Sequence, residues 1–103
     1  MSNFTLYKSH PSIQNEYEYL LNVQSSLLDD LKSRLVIPLI KKPFRKSIIQ
    51  ILNPEIEIHN TTYIILTQQM ASVPINYLGK LIENIEINRT EVLSAIDFLI
   101  TGY

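Results

Sequence analysis

A chain of 103 residues suits one domain, residues 1–103, with a thin core, since roughly two-thirds of the unfolded surface is buried at this size. With 46% apolar and 18% charged residues it is not a disordered chain, and a net charge of −1 gives no field strong enough to make nucleic acid the default partner. The absence of cysteine excludes disulfides, thiolate nucleophiles and most structural zinc sites, while His10 and His59 lie far apart and read as surface or strand residues rather than metal ligands.

The opening residues "MSNFTLYKSH" lack the basic start and apolar run of a signal peptide, and no stretch approaches the roughly 18 apolar residues of a membrane span. The expectation is a cytoplasmic protein with no membrane partner, in which the triplets "NFT", "NTT" and "NRT" are chance matches to a glycosylation signal. "FTLYK" alternates as a strand, with Phe4 and Leu6 on one face and Thr5 and Tyr7 on the other. "SHPSIQN" is a loop around Pro11. "EYEYLLNVQ" returns to alternation, with Tyr17, Tyr19, Leu21 and Val23 sharing a face, and predicts a long half-buried strand.

"RLVIPLI" is a β-branched run whose Pro38 cannot donate to a ladder, which argues for a sheet edge or a bulge. "KKPFRKSIIQILNP" leaves loop, short helix and strand open. "EIEIHNTTYIILTQQ" predicts two strands joined by a tight turn near His59 to Thr61. A helix is expected over Arg89 to Thr101, with Asn88 as its cap, Glu91 completing a capping box, and Ile87 and Val92 as a hydrophobic staple. Val92, Leu93, Ile96, Leu99, Ile100 and Tyr103 fall in one apolar sector widened by Ala95 and Phe98. Thr90, Ser94, Asp97 and Thr101 leave only a narrow polar strip, so the helix should be mostly covered. Strands curled beneath one terminal helix make an α+β fold.

No catalytic constellation is legible. Two glycines in the chain exclude a glycine-rich phosphate cradle. Asp29 and Asp30 are adjacent, point in different directions and read as a solvated turn rather than a metal site. "KKPFRK" reads as a charged loop before it reads as a phosphate track. Leu27 and Leu28 after the polar "QSS", and the terminal "ITGY", place apolar bulk where a turn and a chain end are expected. Such residues mark either a binding surface or local packing and dimer burial, and pattern alone leaves both open.

"FTLY" at 4–7, "NVQSSLLD" at 22–29, "RLVIPL" at 34–39, "LTQQMASVP" at 66–74 and the terminal "AIDFLITGY" resemble, in order and spacing, the CcdB family of toxins. The resemblance covers nearly the whole chain and weakens across roughly residues 8–15 and 40–53. It implies an SH3-like β-barrel of the CcdB and MazF type, made of antiparallel strands with a C-terminal α-helix, assembled as a homodimer. It also implies the toxin of a type II toxin–antitoxin module, a protein that binds the A subunit of DNA gyrase and traps the enzyme on cleaved DNA. A cognate CcdA-like antitoxin would neutralise it, and operator DNA would be met only through that complex.

Carried over position by position, the gyrase-contacting residues fall on Asn3, Phe4, Tyr7, Ser25, Leu27, Asp97, Ile100, Thr101, Gly102 and Tyr103. By the same analogy the antitoxin lies along outer strands near Tyr7, Tyr17 and Tyr19, and the dimer interface involves Met70, Ala71, Ser72, Val73 and Pro74. No cofactor, metal or catalytic residue is implied. The chain departs from the best-known family ending, Trp-Gly-Ile, whose tryptophan stacks on a gyrase arginine: Thr101, Gly102 and Tyr103 stand there instead. A desolvated stack of that kind is worth roughly 1–2 kcal/mol. Two other classes remain: a MazF-like endoribonuclease, for which the chain lacks the glycine-rich motif leading to an Arg-Pro pair and has Arg34, Arg45 and Arg89 scattered, and a non-toxic antitoxin-binding homologue.

Overall fold

A computed structural model describes residues 4–13, 17–42, 50–82 and 89–102. Asn3, Tyr103, the cap and staple residues Asn88 and Ile87, and residues 43–49 of the segment left open at 40–53 lie outside the described residues. Among the described residues seven strands form one antiparallel sheet: β1 Thr5–Ser9, β2 Tyr19–Asn22, β3 Ser33–Lys41, β4 Glu55–Ile58, β5 Thr61–Ile65, β6 Ala71–Pro74 and β7 Leu78–Leu81. The α-helix α1, Arg89–Thr101, follows them. The strand order is β4-β5-β3-β2-β1-β7, with β6 added to β3. The fold is thus α+β, as expected. Among the described residues the path stays open between β4 and β7, yet His59 of the β4–β5 turn lines the same cavity of about 540 Å3 as Lys8 and Lys80, so the sheet curls its two ends toward each other.

The nine-residue β3 organises this sheet. One side of β3 carries β2, with Val36 to Leu39 opposite Asn22 to Tyr19. The other side changes partner: Ser33 to Val36 pair with β6, and Leu39 to Lys41 pair with β5. Pro38 sits at that change of partner. Its carbonyl accepts from the Leu66 amide at 2.9 Å, so its missing N–H faces the gap between β6 and β5 rather than a continuous ladder. The expected edge or bulge is therefore corrected to an interior strand that is locally edge-like on one side. Val36 through Leu39 are all buried, which explains why the run does not alternate.

β2 is likewise shorter than the half-buried strand expected over 16–24, and all four of its residues are buried. The hairpin at His59 is borne out. His59 and Asn60 have φ of 50° and 65° between the paired Ile58 and Thr61, the two left-handed residues a two-residue turn of primed type requires.

The core forms rows across this register. Leu6, Leu21 and Ile37 align across β1, β2 and β3, and Tyr19, Leu39 and Ile65 align across β2, β3 and β5. Ile58, Tyr63 and Val92 of α1 complete the cluster. Tyr19 meets Tyr63 edge-to-face at 5.1 Å, and the Tyr63 hydroxyl donates to Glu18 Oε2 at 3.0 Å.

Burial first, then the Glu18 carboxylate, raises the pKa of both phenols above the ordinary value of 10.0. A phenol raised on folding keeps its stabilising contribution below its unfolded value and loses it as pH climbs through the folded one. The fold is therefore expected to hold at pH 9 and to lose stability progressively above about pH 10. Circular dichroism and phenolate absorbance followed together should show buried tyrosines ionising only as the fold is lost, and Tyr63→Phe should weaken that alkaline dependence.

Candidate functional site

The helix packs by a narrower ridge than its apolar sector suggested. Val92 and Ala95 are fully buried, Ile96 and Phe98 are half-buried, and Leu93, Leu99 and Ile100 are exposed. The expectation of a mostly covered helix is corrected on this point, while the polar strip of Thr90, Ser94, Asp97 and Thr101 does face solvent. Leu99 decides the geometry. It follows Val92 by seven residues and Ala95 by four, and so lies on the packed side of α1. It is nevertheless 39% exposed, and Ile100 beside it is 71% exposed. The last turn of the helix thus has an apolar flank that the body of the protein leaves uncovered.

That end is closed in a defined way. Gly102 adopts φ +81°, and its amide donates to the Phe98 carbonyl at 2.9 Å, a left-handed cap that takes up one free carbonyl of the last turn. A Cβ built at Gly102 meets nothing within 4 Å, so the backbone conformation alone demands glycine. The Thr101 hydroxyl donates to the Asp97 carbonyl at 2.7 Å, so its proton is engaged within the helix.

A second group of the carried-over residues gathers at the β2–β3 connection. The Phe4 amide donates to the Asn22 carbonyl, and β1 pairs with β2, which brings Phe4 and Tyr7 to the strand that leads into this loop. Phe4 holds an unusual φ of 59°, and the Arg89 guanidinium lies 5.0 Å from its ring centre, tying the start of β1 to the start of α1. Ser25 caps the single turn Ser26–Leu28 by accepting from the Leu27 amide at 3.2 Å. Leu27 on that turn is 91% exposed, and Leu28 and Leu31 are exposed beside it. Tyr7 is buried, and burial raises its pKa, with the Arg34 charge opposing and Asp29 adding. Phe4, Tyr7, Ser25 and Leu27 therefore belong to one region, and Asp97 to Gly102 to the helix end.

Two residues of this region escaped the sequence reading. Gln24 and Arg34 are buried polar side chains whose donors meet the carbonyls of the loop between them. A charged residue heading the apolar run "RLVIPLI" was the available signal.

The tyrosines are less uniform than the analogy supposed. β1 and β2 each have a strand on both sides, so they are inner rather than outer strands. Tyr7 and Tyr19 are buried, and Tyr17 is half-buried with its hydroxyl donating to Gln69 Oε1. Along β6, Ala71, Ser72 and Pro74 are exposed and Val73 is half-buried, with Met70 half-buried just before them. No group of three or more His, Asp or Glu side chains able to hold a metal occurs among the described residues. No helix among them is long and apolar enough to cross a membrane.

The family model described as CcdB protein matches residues 3–102. A solved structure, an endoribonuclease in complex with its cognate antitoxin from mycobacterial species, has a similar fold. The TM-score is 0.72 over 97% of this chain and 94% of that one, at 10% sequence identity.

Proposed function

The chain belongs to the CcdB family, and on that premise we propose that it is the toxin of a type II toxin–antitoxin module that binds the A subunit of DNA gyrase and traps the gyrase–DNA cleavage complex. The observation that carries this reading is the helix end, where Leu99 and Ile100 are exposed on a capped, well-formed last turn. Such a tip is a preformed apolar wedge, and contact alone is enough for a poison that performs no chemistry. A homodimer through Met70 to Pro74 of the β6 edge would present two tips to a twofold-symmetric target. Asn3 and Tyr103 belong to the same proposed contact set.

A cognate CcdA-like antitoxin is proposed to cover this region. It would touch Tyr17 in preference to the buried Tyr7 and Tyr19, because a partner needs accessible surface. Operator binding and autorepression are proposed for the toxin–antitoxin complex, and the cytoplasm as its location.

Supercoiled plasmid incubated with gyrase and the protein is expected to accumulate linear DNA after denaturation of the complex. Absence of linear product together with absence of binding to the gyrase A subunit defeats the proposal. The fold shared with an endoribonuclease supports a second reading, RNA cleavage. Against it, Arg34 is buried among backbone carbonyls and is not open to a phosphate, and the exposed Arg89 packs on the Phe4 ring at the start of the helix, apart from Arg34 in the chain. Primer extension on a long mRNA separates the two: discrete stops in the treated RNA favour the nuclease. A non-toxic homologue would instead leave growth untouched on overexpression.

A further inference from the structure

The loop between β2 and β3 does something that ordinary connections do not: it turns three leucines outward, Leu27, Leu28 and Leu31, while two polar side chains are buried beneath it. Apolar residues in a loose loop are free to fold back onto the nearest core surface, so holding them outward requires that the backbone be fixed. The bonds that fix it come from Gln24 and Arg34. The Gln24 amide donates to the carbonyls of Leu28 and Ser33, both at 3.2 Å, and its oxygen accepts from the Leu35 amide at 3.0 Å. It thus ties the turn to β3.

Arg34 is 5% exposed and donates to Leu31 at 2.6 Å, Ser33 at 2.8 Å and Asp29 at 3.0 Å, all through carbonyl oxygens. The Asp29 carboxylate stands 3.9 Å away. A buried guanidinium is expensive to desolvate, and here most of its compensation is backbone oxygen of the loop itself. Two carbonyls that Arg34 takes, of Asp29 and Leu31, and one that Gln24 takes, of Leu28, lie within the stretch that carries the exposed leucines, two of them on those leucines. Neither Gln24 nor Arg34 belongs to the main apolar core cluster.

We propose that Arg34, with Gln24, is a positioning residue for target recognition: it holds the 25–31 loop in the conformation that presents Leu27, and its removal lowers affinity by loosening that loop. This rests on the reading of Leu27 as part of a gyrase-facing surface. Arg34→Met, which keeps the length and loses every donor, is compared with wild type by amide hydrogen exchange and by binding to the gyrase A subunit. The amides of Leu28, Asp29 and Leu31 are expected to exchange at least about tenfold faster while those of Ile37, Leu39 and Ile65 keep their protection. Affinity for gyrase is expected to fall by roughly tenfold or more through lost preorganisation.

Arg34→Lys should recover part of both effects, whereas Ile37→Val, a core change away from the loop, should lower global stability and leave affinity intact. Gln24→Leu serves as the second variant if Arg34→Met does not fold, with the same expected signs. Wild-type exchange in the loop of the variants overturns the inference, and so does a loosened loop with wild-type affinity. If the wild-type protein itself does not bind gyrase, the proposed function falls, and the positioning role is judged on the exchange rates alone.

Discussion

Ile100→Lys is expected to leave the fold intact and to remove gyrase binding. The side chain is 71% exposed, so its loss takes little from the core. Surface changes of this kind fall within about 0.5 kcal/mol, a shift in Tm of roughly 2–4 °C for a domain this size. An ammonium in the last turn also opposes the negative end of the helix dipole, a favourable placement. Binding is affected very differently. The proposed contact buries Ile100 against the target, and an ammonium there must be desolvated without a partner. By the family resemblance a gyrase arginine faces the same tip, which adds like-charge repulsion. Central apolar anchors of this kind cost about 2 kcal/mol or more when removed, so affinity should drop at least about thirtyfold, and further if both tips of the proposed dimer change together. Calorimetry with gyrase and a thermal melt on the same sample check both halves. Unchanged affinity at unchanged Tm would mean that the tip is not the contact.

How much of this was legible beforehand depended on whether a local rule or a long-range one was in control. The limits of α1 and the His59 turn came from local chemistry, since a cap and capping-box pattern in the sequence marks where the helix starts and a short polar break in an alternating run marks a tight hairpin. Pro38 was misplaced because the local rule against ladder donation says nothing of a strand that changes neighbours midway. The exposure of Leu99 was missed for a related reason. Periodicity identifies the side of the helix that faces the body but not how far along the axis the body extends. Leu27 stood out as apolar in a polar setting, whereas Gln24 and Arg34 did not, because a glutamine and an arginine beside a loop are ordinary until their burial and their carbonyl partners are seen. The tyrosines show the converse: an alternating face correctly suggested burial for Tyr19, and the analogy that placed it on an outer strand overlooked that β2 is enclosed by β1 and β3.

Ile37→Ala is expected to be the most damaging of the conservative core changes. Ile37 has no exposed surface and stands opposite Leu21, itself fully buried, in the row that runs from β1 through β3. Its position matters beyond its area. One residue later β3 is at the point where its partner changes from β6 to β5, and the backbone there is held by Leu66 donating to Pro38 rather than by an uninterrupted ladder. Neighbouring strands pinned on both sides have little freedom to close a void. The loss is therefore expected near the upper part of the range of about 2–5 kcal/mol for buried aliphatic-to-alanine changes. Against a total stability of roughly 5–15 kcal/mol for a small domain, that is a large share of what holds the fold together. Denaturant titration should show the midpoint falling with the slope preserved. The residue is fully buried and belongs to neither the helix end nor the turn that carries Leu27, so the fraction that remains folded should bind gyrase as wild type does. A loss of affinity per folded molecule would instead couple the core row to the recognition surface and contradict the separate roles of Ile37 and Arg34.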